Sequence, residues 1–234
     1  TRGKKSSDAP AFSPDGKRLA FASDRGDKRQ VYLIDPRGGE AEALTTAEEG
    51  VQSFAWSRDG GAIAFTAQDP KSEALKEREK QQGEYELVGL DHRMSHLHVV
   101  DVASKQARRL TEGPFNVWSF DWSPDGSEIV FEHATSPDPG DSGSADLSVV
   151  RVADGTRRAL VTQPGPDSNP RFSPDGSQVA FESAMARERF YYTNRAIAVV
   201  PRAGGTPASL SSAFDEDPSL VAWGPSGIWL GAGQ

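Results

Sequence analysis

One short phrase recurs along this chain, and its recurrence limits the fold more than any other feature. Ser13-Pro14-Asp15-Gly16 returns as Ser-Pro-Asp-Gly at residues 123–126 and 173–176, and in looser form at 57–60 and 224–227. An aromatic residue precedes every copy: Phe12, Trp56, Trp122, Phe172 and Trp223. Phenylalanine follows the first four copies at a constant distance, as Phe21, Phe65, Phe131 and Phe181. Agreement on both flanks excludes coincidence. Self-similarity at this period marks solenoids, propellers and arrays.

Each copy implies the same local structure. A strand ends in the aromatic residue, and a tight turn follows. Proline presets φ, aspartate bonds its own backbone, and glycine relieves crowding. Asp15, Asp59, Asp125 and Asp175, with Gly16, Gly60, Gly126 and Gly176, are therefore turn formers. A second strand follows, as at 18–22 and 128–131. A third comes after a variable loop, at 31–34, 97–100, 147–150 and 197–200. A fourth is expected at 43–45, 109–111, 159–161 and 209–211. Each repeat is thus a four-stranded antiparallel meander.

Such a sheet cannot bury both faces alone, whereas neighbours stacked around an axis can. The expected fold is all-β, a β-propeller of four-stranded antiparallel blades. Residues 1–234 form one segment, with blades near 8–47, 51–112, 116–163 and 167–212 and the start of a fifth at 217–234. The flanking aromatics are expected to pack between blades. The fifth blade stops after two strands, and no N-terminal strands complete it. A segment of a larger propeller is therefore expected, its rival being a small degenerate ring closed another way.

Composition narrows the function classes. At 36% hydrophobic the chain can build a core, and its 23 Gly and 16 Pro suit many turns. A net charge of −8 argues against nonspecific nucleic-acid binding and fits solubility. The absence of cysteine excludes disulfides and thiolate metal sites but leaves cytoplasm and periplasm equally open. No apolar run reaches the roughly 18 residues of a membrane helix. The basic start, Thr1 to Ser7, lacks the apolar stretch of an intact signal peptide, and the missing Met implies processing or excision.

Three inserts lengthen the link between second and third strands, at 68–91, 133–146 and 182–195. In the first, pairs Glu73–Lys76 and Glu77–Lys80 offset the like-charge pairs Glu73–Glu77 and Lys76–Lys80, so either a short exposed helix or a solvated loop fits. The second is rich in Pro, Gly, Ser and Asp. The third carries Arg187, Glu188, Arg189, Tyr191, Tyr192, Asn194 and Arg195. That set suits a carboxylate or a peptide backbone, and equally an exposed loop with partly buried aromatics.

Catalytic and metal chemistry find no foothold. Gly140-Asp141-Ser142-Gly143 looks like a chymotrypsin-type nucleophile stretch, but no His and Asp stand in a matching arrangement. No Gly-x-Ser-x-Gly elbow occurs. His92, His96 and His98 are split between a loop and a strand, which does not suit zinc. The turn aspartates lie in separate blades, which does not suit calcium. No metal, cofactor or catalytic residue is expected.

The pattern Phe-Ser-Pro-Asp-Gly-x-x-x-Ala-Phe resembles the WD40-like blades of TolB and of the prolyl oligopeptidase family of serine peptidases. Lys76-Glu77-Arg78-Glu79, with Leu90-Asp91-His92-Arg93-Met94-Ser95-His96-Leu97-His98-Val99-Val100-Asp101, resembles an early blade insert of acylaminoacyl-peptidase and dipeptidyl-peptidase-like members. Residues 180–195 resemble a later insert, without the Gly-x-Glu-x-Asp-Arg often found there. The resemblance implies a non-catalytic cap over an α/β-hydrolase domain that lies outside this chain and carries a Ser-Asp-His triad. Its partners would be that domain and a short peptide, with no nucleic acid and no membrane. Candidate substrate contacts are Arg187, Glu188, Arg189, Tyr191, Tyr192, Arg195, His92 and Arg93. The alternative is a TolB-like periplasmic scaffold that binds proteins. A sugar- or lyase-type propeller enzyme is disfavoured, because no paired carboxylates recur at strand starts.

Overall fold

The computed structural model describes residues 5–83 and 92–232. Two compact units divide the chain: residues 1–114 with 136–138, and residues 115–135 with 139–234.

The first unit holds two four-stranded antiparallel sheets. One runs β1 (Ser7–Phe12), β2 (Leu19–Ser23), β3 (Gln30–Ile34), β4 (Glu42–Ala43), and the other β5 (Ser53–Trp56), β6 (Ala62–Gln68), β7 (Ser95–Asp101), β8 (Ala107–Arg109). The repeat phrase makes the first turn of each. Ser13 Oγ donates to Asp15 Oδ1 at 2.7 Å and accepts from Arg18 N at 2.9 Å, while Lys17 N donates to the same carboxylate oxygen at 3.0 Å. Gly16 closes the turn at φ +70° by donating to Ser13 O, a conformation that glycine reaches without a Cβ penalty. Ser57 and Asp59 repeat this in the second sheet.

The two sheets share an apolar core. Ala20, Val31 and Leu44 of the first meet Val51, Ile63, Phe65 and Val100 of the second. Each fully buried large aliphatic side chain contributes roughly 1.5–3 kcal/mol. Trp56 adds a polar link, its indole Nε1 donating to Ala11 O at 3.1 Å. The turns also touch: a Cβ on Gly60 would lie 3.3 Å from Pro14 Cδ. Phe12 departs from the expected packing. It is 62% exposed, because no sheet of this unit covers its side of β1 as β1 covers Trp56.

Of the two forms open to the first insert, the chain takes the helix, α1 (Glu73–Gln82). Ser72 Oγ caps it by accepting Leu75 N, Glu73 and Lys80 suit its dipole, and Gly83 ends it at φ +88°. It buries no residue. Leu90 and Asp91 of the insert motif lie outside the described residues.

The second unit holds β9 (Asn116–Trp122), β10 (Glu128–Ala134), β11 (Asp146–Arg151) and β12 (Arg157–Val161) in one sheet. A second sheet holds β13 (Asp167–Phe172), β14 (Gln178–Ser183), β15 (Ala196–Pro201) and β16 (Ala208–Ser209). The hairpin β17 (Pro218–Gly224) and β18 (Gly227–Ala232) follows. Val130, Leu147, Val149 and Leu160 pack on Phe172, Val179, Phe181 and Val200. Trp122 and Phe172 are buried as expected, and Trp223 is half-buried against Ala180, Ile197 and Leu220. Pro124 repeats the role of Pro14, lying 3.2 Å from a Cβ on Gly176.

Three of the fourth strands end earlier than expected. Thr45, Thr111 and Ser211 place a hydroxyl where a backbone acceptor would stand, taking the N–H of Val31, Leu97 and Ile197 at 2.8–2.9 Å. The side chain thereby ends the ladder without leaving the third strand's donor unpaired. Among the described residues, no helix is long and apolar enough to cross a membrane.

Candidate functional site

In the first unit the three histidines do not converge. His96 and His98 share a face of β7, and His96 is fully buried. His96 Nδ1 lies 3.2 Å from Thr111 Oγ1, and its Nε2 lies 3.6 Å from Asp69, which pairs with Arg109 at 2.8 Å. Burial drives the His96 pKa down to about 4, with Arg109 adding to the effect and Asp69 opposing it. His98 stacks on Phe65 at 5.1 Å, and burial lowers its pKa too. Both rings are therefore neutral at pH 7. His92 instead faces Asp138 at 3.5 Å. Among the described residues no group of three His, Cys, Asp or Glu is placed to hold a metal.

Arg93 is largely engaged in the fold. Its guanidinium reaches Asp69 O at 3.4 Å and Glu49 at 3.3 Å, and Lys28 meets the same carboxylate. Burial would raise the Glu49 pKa, but Arg93 and Lys28 together hold it below its ordinary value.

In the second unit the third insert is a built structure. It leaves β14 through Met185 and Ala186, both left-handed at φ 52° and 59°. Phe190 then packs into a tight space, 3.0 Å from a Cβ on Gly143 and 3.4 Å from one on Gly165. The second and third inserts therefore meet through Phe190. A 3-10 turn, Phe190–Tyr192, sets the Tyr191 ring 4.0 Å from that of Phe190 and tilted by 34° to it. The two phenols lie at the surface. Tyr191 is 74% exposed and Tyr192 89%, because Phe190 alone occupies the space between the inserts.

The candidate arginines separate into two kinds. Arg195 is committed: it donates to Glu182 at 2.6 Å and to Asp217 at 3.0 Å. Arg187 donates to Asn194 O at 3.4 Å and is otherwise exposed, as are Glu188 and Arg189. The exposed set that could meet a ligand is thus Arg187, Glu188, Arg189, Tyr191 and Tyr192. Ser142 sits in a 3-10 helix, Pro139–Ser144, and its hydroxyl donates back to Pro139 O.

Sequence reasoning passed over Glu182, Asn169 and Asp217. Glu182 is buried and accepts from Leu220 N at 2.8 Å and from Asn169 Nδ2 at 3.0 Å. The available signal was a charged residue after the repeat phenylalanine, at Phe131-Glu132 and again at Phe181-Glu182.

No protein-family model matches the chain. Acylaminoacyl peptidase of Pyrococcus horikoshii resembles it with a TM-score of 0.69, over 96% of this chain and 35% of that one, at 14% identity. TolB of Acinetobacter baumannii resembles it with a TM-score of 0.57, over 92% of this chain and 46% of that one, at 21% identity. The blades are propeller blades. The propeller is also similar in sequence to the uncharacterized peptidase YuxL of Bacillus subtilis (strain 168), 38% identical over 146 residues. That match covers 56% of this chain and 22% of the relative. Both kinds of protein that the repeats resemble, TolB and the peptidases, are thus found beside it.

Proposed function

We propose that this propeller segment is the non-catalytic cap of a serine peptidase, limiting entry to short peptides at a catalytic domain outside this chain. The observation that carries the reading is the 38% identity to a peptidase over 146 residues. A cap of this kind acts by exclusion and positioning. A narrow entrance rejects folded proteins, and fixed side chains order a peptide before attack. The exposed guanidinium groups of Arg187 and Arg189 offer paired donors for a carboxylate, and the Tyr191 and Tyr192 rings offer apolar faces to peptide side chains.

Kinetics of the parent peptidase test the reading. Replacing Arg187 and Arg189 by Ala should raise KM for short peptides and leave an uncharged small ester little changed. Unchanged peptide kinetics in that variant would remove the insert from the substrate path. The chain alone should not hydrolyse aminoacyl-nitroanilides, and robust activity would overturn the non-catalytic reading.

A TolB-like protein-binding scaffold is the second reading, favoured by the TolB likeness over 92% of the chain. It predicts a stable complex with a folded partner protein and no effect of the insert on peptide turnover.

A further inference from the structure

Asp167 begins β13 beneath the third insert and is fully buried. Its Oδ1 accepts twice, from Ser183 Oγ at 2.6 Å and from Gln163 Nε2 at 2.9 Å. Its Oδ2 is also buried and meets no donor. The neutral acid suits this lopsided pattern better than the carboxylate, since an unpaired hydroxyl costs less to bury than an unpaired charge. A carboxylate here would leave a charged oxygen buried without a donor, a costly state.

The surrounding charges do not relieve it. Asp146, at the start of β11, adds like charge. His133, paired with Asp146 across β10 and β11, is held neutral: burial lowers its pKa to about 4, with Arg157 contributing. Glu182, the neighbour of Ser183 on β14, is engaged by Arg195, Asn169 and Leu220.

The same aspartate supports the insert's point of departure. Ser183 Oγ, which donates to Asp167, accepts the N–H of Met185 at 2.8 Å. Met185 and Ala186 then hold the left-handed conformation, which crowds the Cβ of ordinary residues against the backbone. Ala184 N donates to Pro166 O, tying the kink to the residue before Asp167. The insert therefore leaves the sheet through a strained kink held by the series Asp167, Ser183, Met185.

We propose that Asp167 is a proton-binding latch: it carries a proton while the third insert is seated and releases it to water when the kink relaxes and the insert lifts. On release the O–H bond breaks, its electron pair stays on the carboxylate, and the proton passes to solvent. Burial raises the Asp167 pKa from 3.8 to about 6, against the smaller downward pull of Ser183 and Gln163 and with a further push from Asp146. A lifted, hydrated Asp167 returns to the ordinary value. Seating is therefore strongest below the ordinary carboxylate pKa and weakens as pH rises through about 6. Two pKa units correspond to a change on the order of a hundredfold in the lifting equilibrium. Any effect on peptide access rests on the cap reading above, whereas the latch does not.

Hydrogen exchange of the peptide covering residues 184–190, followed from about pH 4 to about pH 7.5 and corrected for intrinsic rates, tests the latch. Protection should fall on the order of a hundredfold across that range. Asp167→Asn keeps the accepting oxygen and cannot ionise, so its protection should be flat. Should that variant not fold, the carboxyl carbon NMR signal of Asp167 in the native protein supplies the answer, titrating near 6 if the latch exists. A pH-independent wild type, an unaltered pH response in Asp167→Asn, or an Asp167 titrating near 3.8 would each overturn the proposal. Peptide turnover is not among these readouts, so failure of the cap reading would remain distinguishable.

Discussion

Glu132, on the second strand of one blade, accepts the backbone N–H of Asn169, on the first strand of the next, at 3.1 Å. One blade on, Glu182 accepts Leu220 N at 2.8 Å. In each case a side chain from the carboxylate's own sheet completes the arrangement, Ser119 at 2.6 Å and Asn169 at 3.0 Å. Both receiving strands are irregular there, with register breaks between Ser168 and Arg171 and between Leu220 and Ala222. A bulge releases a backbone donor from the ladder, and the neighbouring carboxylate takes it. The seams of this unit are therefore joined by directed bonds as well as by apolar contact.

Removing Glu182 should weaken that seam heavily. Glu182→Ala leaves Leu220 N–H, the Asn169 amide and one arm of Arg195 without their acceptor, at a cost of about 2–4 kcal/mol. Glu182→Gln keeps an acceptor and should cost less. Urea unfolding midpoints of the two variants measure the difference, and an alanine variant as stable as wild type would contradict the seam's role.

The packing of the third insert can be probed by one methyl group. Gly165 sits at φ +83°, and a Cβ there would lie 2.7 Å from Ala184 Cβ and 2.9 Å from Arg187 O. Strain and overpacking together should make Gly165→Ala destabilising by about 2–4 kcal/mol. Trypsin should then cut faster at Arg187 and Arg189. Gly140→Ala meets nothing within 4 Å and should stay within about 0.5 kcal/mol of wild type.

The repeat turn has its own test at Ser123, which is fully buried. Its hydroxyl donates to Asp125 at 2.6 Å and accepts Glu128 N at 3.0 Å. Ser123→Ala should cost about 1–3 kcal/mol through the unpaired N–H. Arg202 is the main cause that holds Asp125 far below the usual carboxylate range, with Ser123 contributing. Carboxyl NMR should accordingly show the Asp125 pKa rising only part of the way in this variant.

Acid should destabilise both units through their histidines. His96 and His133 have native pKa values lowered to about 4 from 6.5, so the unfolded chain binds protons that the native one refuses. Their contribution is complete above 6.5 and is lost as pH falls towards 4. Imidazole NMR signals of both should titrate near 4, and a midpoint near 6.5 would show the rings to be more hydrated than the fold implies. Asp167 runs the other way, its contribution being lost as pH rises from 3.8 through about 6.

What could be seen in the sequence was what the chain decides locally. Ser13, Asp15 and Gly16 form their turn with partners a few residues away, so the motif alone specified it. Phe131 and Phe181 are buried because their strands are central in their sheets, and their constant distance from the repeat phrase placed them on those second strands. Phe12 carries the same signature and is exposed, since burial there depends on a neighbouring sheet rather than on β1 itself. Arg195 looked like a free ligand for peptide. Its partner Asp217 stands just before β17 and outside the recurring phrase, so only the folded chain brings the two together. The left-handed backbone of Met185 and Ala186 left no sign either, as neither is a residue type that favours it.

Pro14 against Gly60, and Pro124 against Gly176, give the recurring phrase a second meaning. In these two pairs the proline of one copy seats against the glycine of the copy after it, whereas the second copy carries Arg58 in place of proline and Gly227 of the fifth meets nothing within 4 Å. A substitution at either member of such a pair is therefore felt by the neighbouring turn as well as by its own. Coupling between successive turns, rather than the strength of a single turn, is what this contact supplies.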